Sequence, residues 1–539
     1  MTETDTTLRA HPRRWAVLAV MSFCMFIVVM DNTILVVALK SIQQSLSATN
    51  AQLQWALDAY TLTYAALMFS TGVLGDRFGR RTVLICGMVF FAVVSTAGAW
   101  SADTAQLTLW RALMGIGAAV VPGCSMAVIT TAFPPAERAK AIGLWSVANG
   151  IGIACGPVIG GALVGTFWWG SAMLVNVPLP VLAVIAIFLL VPNTKDPRPG
   201  RLDIVGVGLS IAGVGLLVYG VIGGGEPGGW LRAQVLGPIA VSVLLLAALG
   251  WHSRRAANPA LDLMLLRTKK FAAGAATMST TFFAVNGASF VLVFYVQILR
   301  GFSPLASGLL MLPVAVGAAL TGQRSDVLVA RFGSAAVVTA GAIALCAGCI
   351  GFTLLGAHTS MWVFAVLQFV AGLGFGATLA PSMAAALSVV PGDRSGAGSA
   401  LANTFRQLGT ALGVAVLGSS LGTVYRDRLG ARIDILPQPA RAEAGNSLGS
   451  TLLAMGQAQT GAHGYQPAEL AEFSRRAPEL VAAAHSSFLT AMQVTMVISA
   501  VVSAIAAVIA MLWLPRATPR EQPSAWKATA PVGSEVGLS

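Results

Sequence analysis

The chain has 539 residues, a net charge of +12, 56% hydrophobic residues and only 10% charged ones. Soluble domains carry about a quarter charged residues, so a chain this long and this apolar is read as a polytopic membrane protein. The positive balance then reflects basic cytoplasmic loops, and nucleic-acid binding is excluded because no soluble basic module interrupts the apolar runs.

The N-terminal segment 1–14 ends in Arg13-Arg14, and the apolar run 15–37 follows. That run is too long for a signal-peptide core and no small-residue cleavage site follows it, so it is taken as the first transmembrane helix. Further windows long enough to span fall near 52–73, 83–101, 107–131, 141–165, 171–191, 204–223, 233–251, 271–296, 304–322, 335–356, 361–388, 397–421 and 486–514, fourteen in all. With both termini inside, the cytoplasmic segments hold 22 of the 33 basic residues, and the short outer loops hold only Lys40, Arg232 and Arg300. That alternation supports fourteen spans, because a missed helix would invert every later loop.

The first span carries Asp31 and the second carries Asp58; Arg111 opens the fourth and Arg406 falls mid-span in 397–421. Charges inside spans are expensive, about 2.5–3.5 kcal/mol on insertion scales, so each is a functional candidate. Desolvation favours the neutral form of a carboxylate unless a cation offsets it, and an acid poised between two forms suits a proton-coupled carrier. Asp31 and Asp58 both lie toward the outer side and would make a negative vestibule there, or be hydrated interfacial acids. Arg111 is placed to pair with an embedded acid or to snorkel to outer headgroups. The partner of Arg406 is a backbone carbonyl or a polar side chain; the sequence does not say which.

The second span ends in Gly72-Val-Leu-Gly75-Asp76-Arg77-Phe78-Gly79-Arg80-Arg81. The glycines are read as allowing a tight cytoplasmic turn and close helix approach. Asp76 pairing with a basic group or a neighbouring helix end would make a gate latch. Span five reads Gly150-Ile-Gly152-Ile-Ala-Cys-Gly156-Pro157-Val-Ile-Gly160-Gly161. Glycines four apart give a smooth packing face, and Pro157 permits a bend.

Gly115-Ile-Gly117 before Pro122 recurs as Gly374-Phe-Gly376 before Pro381, and Arg77-Phe78-Gly79 recurs as Arg331-Phe332-Gly333. The similar offsets suggest two duplicated six-helix halves, 15–191 and 271–514, with a linker 192–270 holding two extra spans. The outer loop 422–485 is long, and its stretch from Pro467 to Arg476 looks helical and amphipathic; it either caps the outer face or is a passive loop. The segment 515–539 reads as a polar cytoplasmic tail. The six cysteines all lie in apolar runs, so no disulfide framework is expected, and Cys346-Ala-Gly-Cys349 lacks the second pair of a metal site.

Gly72 to Arg81, Arg111 to Gly117 and Gly152 to Gly161 resemble three motifs of the major facilitator superfamily. Asp31-Asn-Thr-Ile-Leu, Trp55 to Tyr60, and Trp169 to Pro178 through Asn176 are similar to its fourteen-helix drug:proton antiporters, including quaternary-ammonium exporters. The resemblance implies an all-α integral membrane fold of two six-helix halves plus two inserted helices, working by alternating access. It implies proton or cation binding at Asp31 and Asp58, a proton-relay role for Arg111, gating by Asp76 and Arg77, and helix-five bending at Gly156-Pro157. The chain departs from the pattern at Met114, where Gln is common, at Val36 and Lys40 after the first acid, and at Asp326, displaced from Arg331.

The function expected is proton-coupled export of amphipathic drugs, antibiotics or antiseptics across the cytoplasmic membrane; the alternative is a dedicated exporter of one metabolite, self-made antibiotic, lipid or siderophore. No cofactor is expected, the proton-motive force being the energy source, and no Gly-Lys pair exists to form a Walker A loop. The partners expected are the lipid bilayer, small amphipathic substrates and protons, with the chain acting as a monomer. An enzyme is disfavoured, since no nucleophile–base pair or metal cluster is visible.

Overall fold

The computed structural model describes residues 12–195, 203–226, 229–256, 263–390, 395–436, 441, 444–445, 447–459 and 467–515. The tail 516–539 lies outside them. The chain folds into α1 (Arg14–Ser45), α2 (Asn50–Phe78), α3 (Arg80–Ala99), α4 (Thr104–Ala132), α5 (Pro135–Thr166) and α6 (Ser171–Leu190). Then come α7 (Ile204–Gly224), α8 (Ala233–Ser253), α9 (Lys269–Phe294), α10 (Pro304–Gln323), α11 (Ser325–Phe352), α12 (Met361–Leu387) and α13 (Ser395–Leu429). A short α14 (Leu448–Gln459) precedes the last helix, α15 (Pro467–Trp513).

Among the described residues twelve helices are long and apolar enough to cross a membrane. The two further long helices, α2 and α5, have 29 and 32 residues. With them, every window marked by hydropathy holds a helix. Local signals set several starts. Thr49 and Gln52 close a capping box on α2, and Asp103, Asp203 and Ser303 accept backbone N–H groups at the first turns of α4, α7 and α10.

Helix α4 packs between α2 and α3, and α5 lies along α1. In the later part α12 packs between α10 and α11, while α9 and α13 lie side by side. The pair α7–α8 stands apart, with α7 leaning on both α2 and α13. Val218, Val221 and Ile222 of α7 bury against Ala411 and Ala415 of α13, with Trp55 of α2 beside them.

Two sequence readings need correction. Residues 72–78 do not form the turn: α2 continues through Phe78, and the chain reverses at Gly79 alone, with φ +104. Gly333, at the matching Arg-Phe-Gly, has φ +83. Both sit in the left-handed region that only glycine adopts cheaply. The Gly-x-Gly repeat is also out of register. Gly115 faces α2 and Gly117 faces α3, whereas Gly374 faces α11 and Gly376 faces α10. Both pairs let the fourth helix of the set sit close between its neighbours, with the two faces exchanged.

The described residues of the segment 422–485 are mostly helical. Helix α15 has 47 residues, about 70 Å at 1.5 Å per residue and far more than a bilayer core of about 30 Å needs. Its first part and the end of α13 project beyond the bundle, with α14 held against them. The Tyr425 and Thr451 hydroxyls lie 2.7 Å apart. Gln43 of α1 donates to Ser447 Oγ at 3.1 Å, and Leu448, Ala454 and Ala458 are buried. This cap therefore closes over the end of the bundle where α1 and α9 finish.

Candidate functional site

Asp31 and Arg111 meet in the middle of the first six helices. Arg111 Nη1 donates to Asp31 Oδ2 at 2.7 Å, and both side chains are 1% exposed. Asn176 of α6 donates to the other oxygen, Asp31 Oδ1, at 2.5 Å and also lies 3.3 Å from Ser95 Oγ of α3. Arg111 Nε donates to the Ala56 carbonyl of α2 at 3.2 Å, and its Cζ sits 4.3 Å from the Tyr60 ring centroid. Tyr60 in turn donates to the Val28 carbonyl of α1. One ion pair thus ties α1, α2, α3, α4 and α6 together, in a place where an uncompensated charge would be costly. Arg111 does not snorkel.

Asp58 belongs to a different environment. It is 1% exposed, and neither carboxylate oxygen has a hydrogen-bond partner. It lines a cavity of about 20 Å³ with Asn32, Thr61, Asn286, Ser289 and Thr410, room for about one water. Asn32 and Thr61 come from α1 and α2, Asn286 and Ser289 from α9, and Thr410 from α13. The carboxylate therefore sits on the seam between 15–191 and 271–514. The two acids make no open vestibule: one is locked into the first helix set and the other faces the second.

Arg406 lies on the same seam, half-buried. Its Nε donates to Asn403 Oδ1 at 3.1 Å, and its Cζ lies 4.9 Å from the Phe282 ring centroid. Tyr64 of α2 lies near the guanidinium across the seam.

The loop motif is a clamp inside the first helix set. Arg80 pairs with Asp76 at 2.9 Å, and its Nη1 donates to the Ala127 carbonyl of α4 at 3.2 Å. A Cβ on Gly75 would lie 2.6 Å from Cys124 Sγ, so Gly75 allows the close α2–α4 approach. Gly72 faces Gly123 more loosely. Arg77 is exposed and stacks on Phe78, while Arg81 stacks on Phe188 of α6.

The span-five glycines have two faces. Gly152, Gly156 and Gly160 lie on α1, where added Cβ atoms would meet the carbonyls of Phe26, Met30 and Ile34 at 3.1, 2.9 and 2.8 Å. Gly161 meets Pro304 and Leu305 of α10, and the Pro157 carbonyl lies against Gly308. The motif holds α5 to α1 on one side and forms a glycine-smooth contact with the other helix set on the other. We expect Gly156→Val to destabilise the protein by about 1–3 kcal/mol through overpacking. Thermal unfolding of the purified variant checks this, and an unchanged midpoint would contradict it.

Several side-chain bonds between the helix sets gather where the cap sits. Lys40 donates to the Gln297 carbonyl at 2.7 Å, and Gln297 Nε2 donates to the Val37 carbonyl at 2.9 Å. Gln297 lies in a π-helical turn, Tyr295–Leu299, that ends α9; such turns expose carbonyls to new partners. Arg232 and Arg300 likewise donate to the carbonyls of Gly223 and Thr359. The basic residues that break the charge alternation are thus carbonyl caps near helix ends. Asn176 was marked in the sequence only as part of the Trp169 to Pro178 resemblance, and Ser95, Tyr64 and Gln297 were not singled out. Gln54, Asp58 and Thr61 recur at helical spacing, the one signal that marked the seam face of α2.

The chain belongs to the Major Facilitator Superfamily, which residues 21–414 match. It is a multi-pass membrane transporter rather than an enzyme. It is 34% identical over 74% of its length to the multidrug resistance protein Stp of Mycobacterium tuberculosis (strain CDC 1551 / Oshkosh), covering 74% of that protein. The multidrug efflux pump LfrA of Mycolicibacterium smegmatis is 30% identical over 84% of this chain and 89% of its own. The tetracenomycin C resistance and export protein of Streptomyces glaucescens is 31% identical over 78% of this chain and 79% of its own. Among solved structures, a bacterial homologue of the human lysosomal transporter Spinster, in an inward-facing and occupied conformation, superposes with a TM-score of 0.65 at 18% identity. That match covers 95% of this chain and 100% of the other, and it is a likeness of fold.

Proposed function

We propose that this chain is a proton-coupled antiporter that exports amphipathic drugs, antibiotics or antiseptics, with helices 15–191 and 271–514 rocking as two halves about the seam and both termini in the cytoplasm. The observation that carries the mechanism is Asp58, a buried carboxylate without a partner, lining a cavity shared by both helix sets. An acid there changes its surroundings whenever the halves move, so it can take a proton in one state and release it in the other. The Asp31–Arg111 pair is compensated within one set and serves as the rigid centre of that half. One proton crossing about 100 mV supplies roughly 2.3 kcal/mol, enough for a substrate ratio near fifty. The names of the Stp and LfrA relatives support a multidrug range.

A second reading is favoured by the tetracenomycin C exporter and by a probable actinorhodin transporter, 33% identical over 82% of this chain. Under it, the chain is a dedicated exporter of one natural product. Efflux of ethidium, a neutral antibiotic and a polycyclic quinone from cells expressing the chain separates the two. Export of several compounds that stops with an uncoupler supports the multidrug antiporter; export of one compound alone selects the dedicated carrier; uncoupler-resistant export contradicts both.

Opening the capped end must break the Lys40 and Gln297 bonds. Lys40→Met is expected to shift the two-state equilibrium toward opening there by about tenfold, since one charge-assisted hydrogen bond is worth about 1.5 kcal/mol. Distances between spin labels on α1 and α9 at that end report it, and an unaltered distribution would argue against the latch.

A further inference from the structure

Arg406 is an embedded charge that the polar centre of the first helix set does not use. Its surroundings fix its orientation. Asn403 holds Nε, the Phe282 ring covers one face, and Tyr64 of α2 lies near the guanidinium on the opposite helix set. Phe282 is itself edge-packed on Phe375, with centroids 5.2 Å apart, and Tyr64 is stacked on Tyr60 at 6.0 Å. Among the described residues no carboxylate lies within ion-pair distance of Arg406, and Asp31 is already held by Arg111. Asp58 lies six residues from Tyr64 on α2, about 9 Å along the helix axis.

A guanidinium inside a membrane span is stabilised by an anion or by neutral acceptors, and Asn403 Oδ1 is a neutral one. It also offers a planar fork of donors suited to a carboxylate, and a flat face suited to aromatic rings. Here the fork is half-buried on the seam, between ring systems contributed by both helix sets. We infer that the seam accepts planar aromatic amphipaths bearing an acidic group, and that Arg406 receives that group while Phe282 and Tyr64 flank the rings. The inference rests on the export reading and names its substrate class. Lipophilic cations would then bind less tightly.

The test is a binding measurement on the full-length protein in lipid nanodiscs, which needs neither a proton gradient nor turnover, so its failure is distinguishable from a failure of proton coupling. The probes are anthraquinone-2-carboxylate and its neutral analogue anthraquinone-2-carboxamide, with protein-free nanodiscs as the partition control. Wild type should bind the carboxylate about tenfold more tightly than the amide, the scale of one charge-assisted bidentate contact. Arg406→Gln should lose that preference while keeping its affinity for the amide, which also shows that the variant is folded. Arg406→Lys should retain part of it. Equal binding of both probes by wild type, equal loss of both in Arg406→Gln, or no binding of either would overturn the inference. So would restoration of carboxylate binding in Arg406→Gln by adding Asp58→Asn, since that would make Arg406 the partner of Asp58 rather than of a ligand.

Discussion

Asp58→Asn is expected to leave the protein folded and to abolish uphill transport. Its carboxylate has no hydrogen-bond partner and is 1% exposed, so the isosteric amide removes a desolvated charge and breaks no bond. Stability should stay level or rise, because a neutral amide costs less to desolvate than a carboxylate. Transport should change far more. Without a titrating acid on the seam, the halves can exchange substrate only downhill, and the steady-state ratio should fall from as much as about fifty to one. Accumulation and downhill exchange measured in the same proteoliposomes separate the effects. A variant that still concentrates substrate would remove Asp58 from the coupling step.

Breaking the Asp31–Arg111 pair should do the opposite, damaging stability first. Asp31→Leu strands a guanidinium that is fully buried, and Arg111→Met strands a carboxylate. Each single change is expected to cost about 3–5 kcal/mol, because an unpaired buried charge loses its Coulombic partner and keeps its desolvation penalty. The double variant Asp31→Leu with Arg111→Met should be markedly more stable than either single one, since it strands no charge and leaves only the Asn176 amide and the Ala56 carbonyl without their partners. Simple additivity of the two losses in denaturation of the purified proteins would show that the pair is not the unit described here.

The helices were legible in the sequence because hydropathy and charge act over twenty residues at a time. The clamp at Asp76 and Arg80 was half legible. The glycine pattern pointed to close approach, but helix propensity alone cannot say that α2 runs to Phe78 and turns only at Gly79. Asp31, Asp58 and Arg111 stood out because charges are rare inside spans. What they touch did not, since it depends on side chains up to 145 residues apart, such as Asn176 on Asp31. Nor could the sequence rank the two acids. Asp31 and Asp58 lie on similar apolar helices, and only packing shows one compensated and the other alone. Lys40 departed from the expected pattern after the first acid, and its bond to Gln297 gives that departure a physical role.

The measurement that bears most directly on the central claim is proton release from inverted vesicles energised to an acidic interior, followed with a pH-sensitive dye as substrate is added. Wild type and Asp31→Asn, which keeps a hydrogen-bonding side chain beside Arg111, should both dissipate the gradient on substrate addition, the latter at a reduced rate. Asp58→Asn should not respond at all. Substrate-driven proton flow that persists in Asp58→Asn and vanishes in Asp31→Asn would contradict the account and place coupling at the ion pair instead.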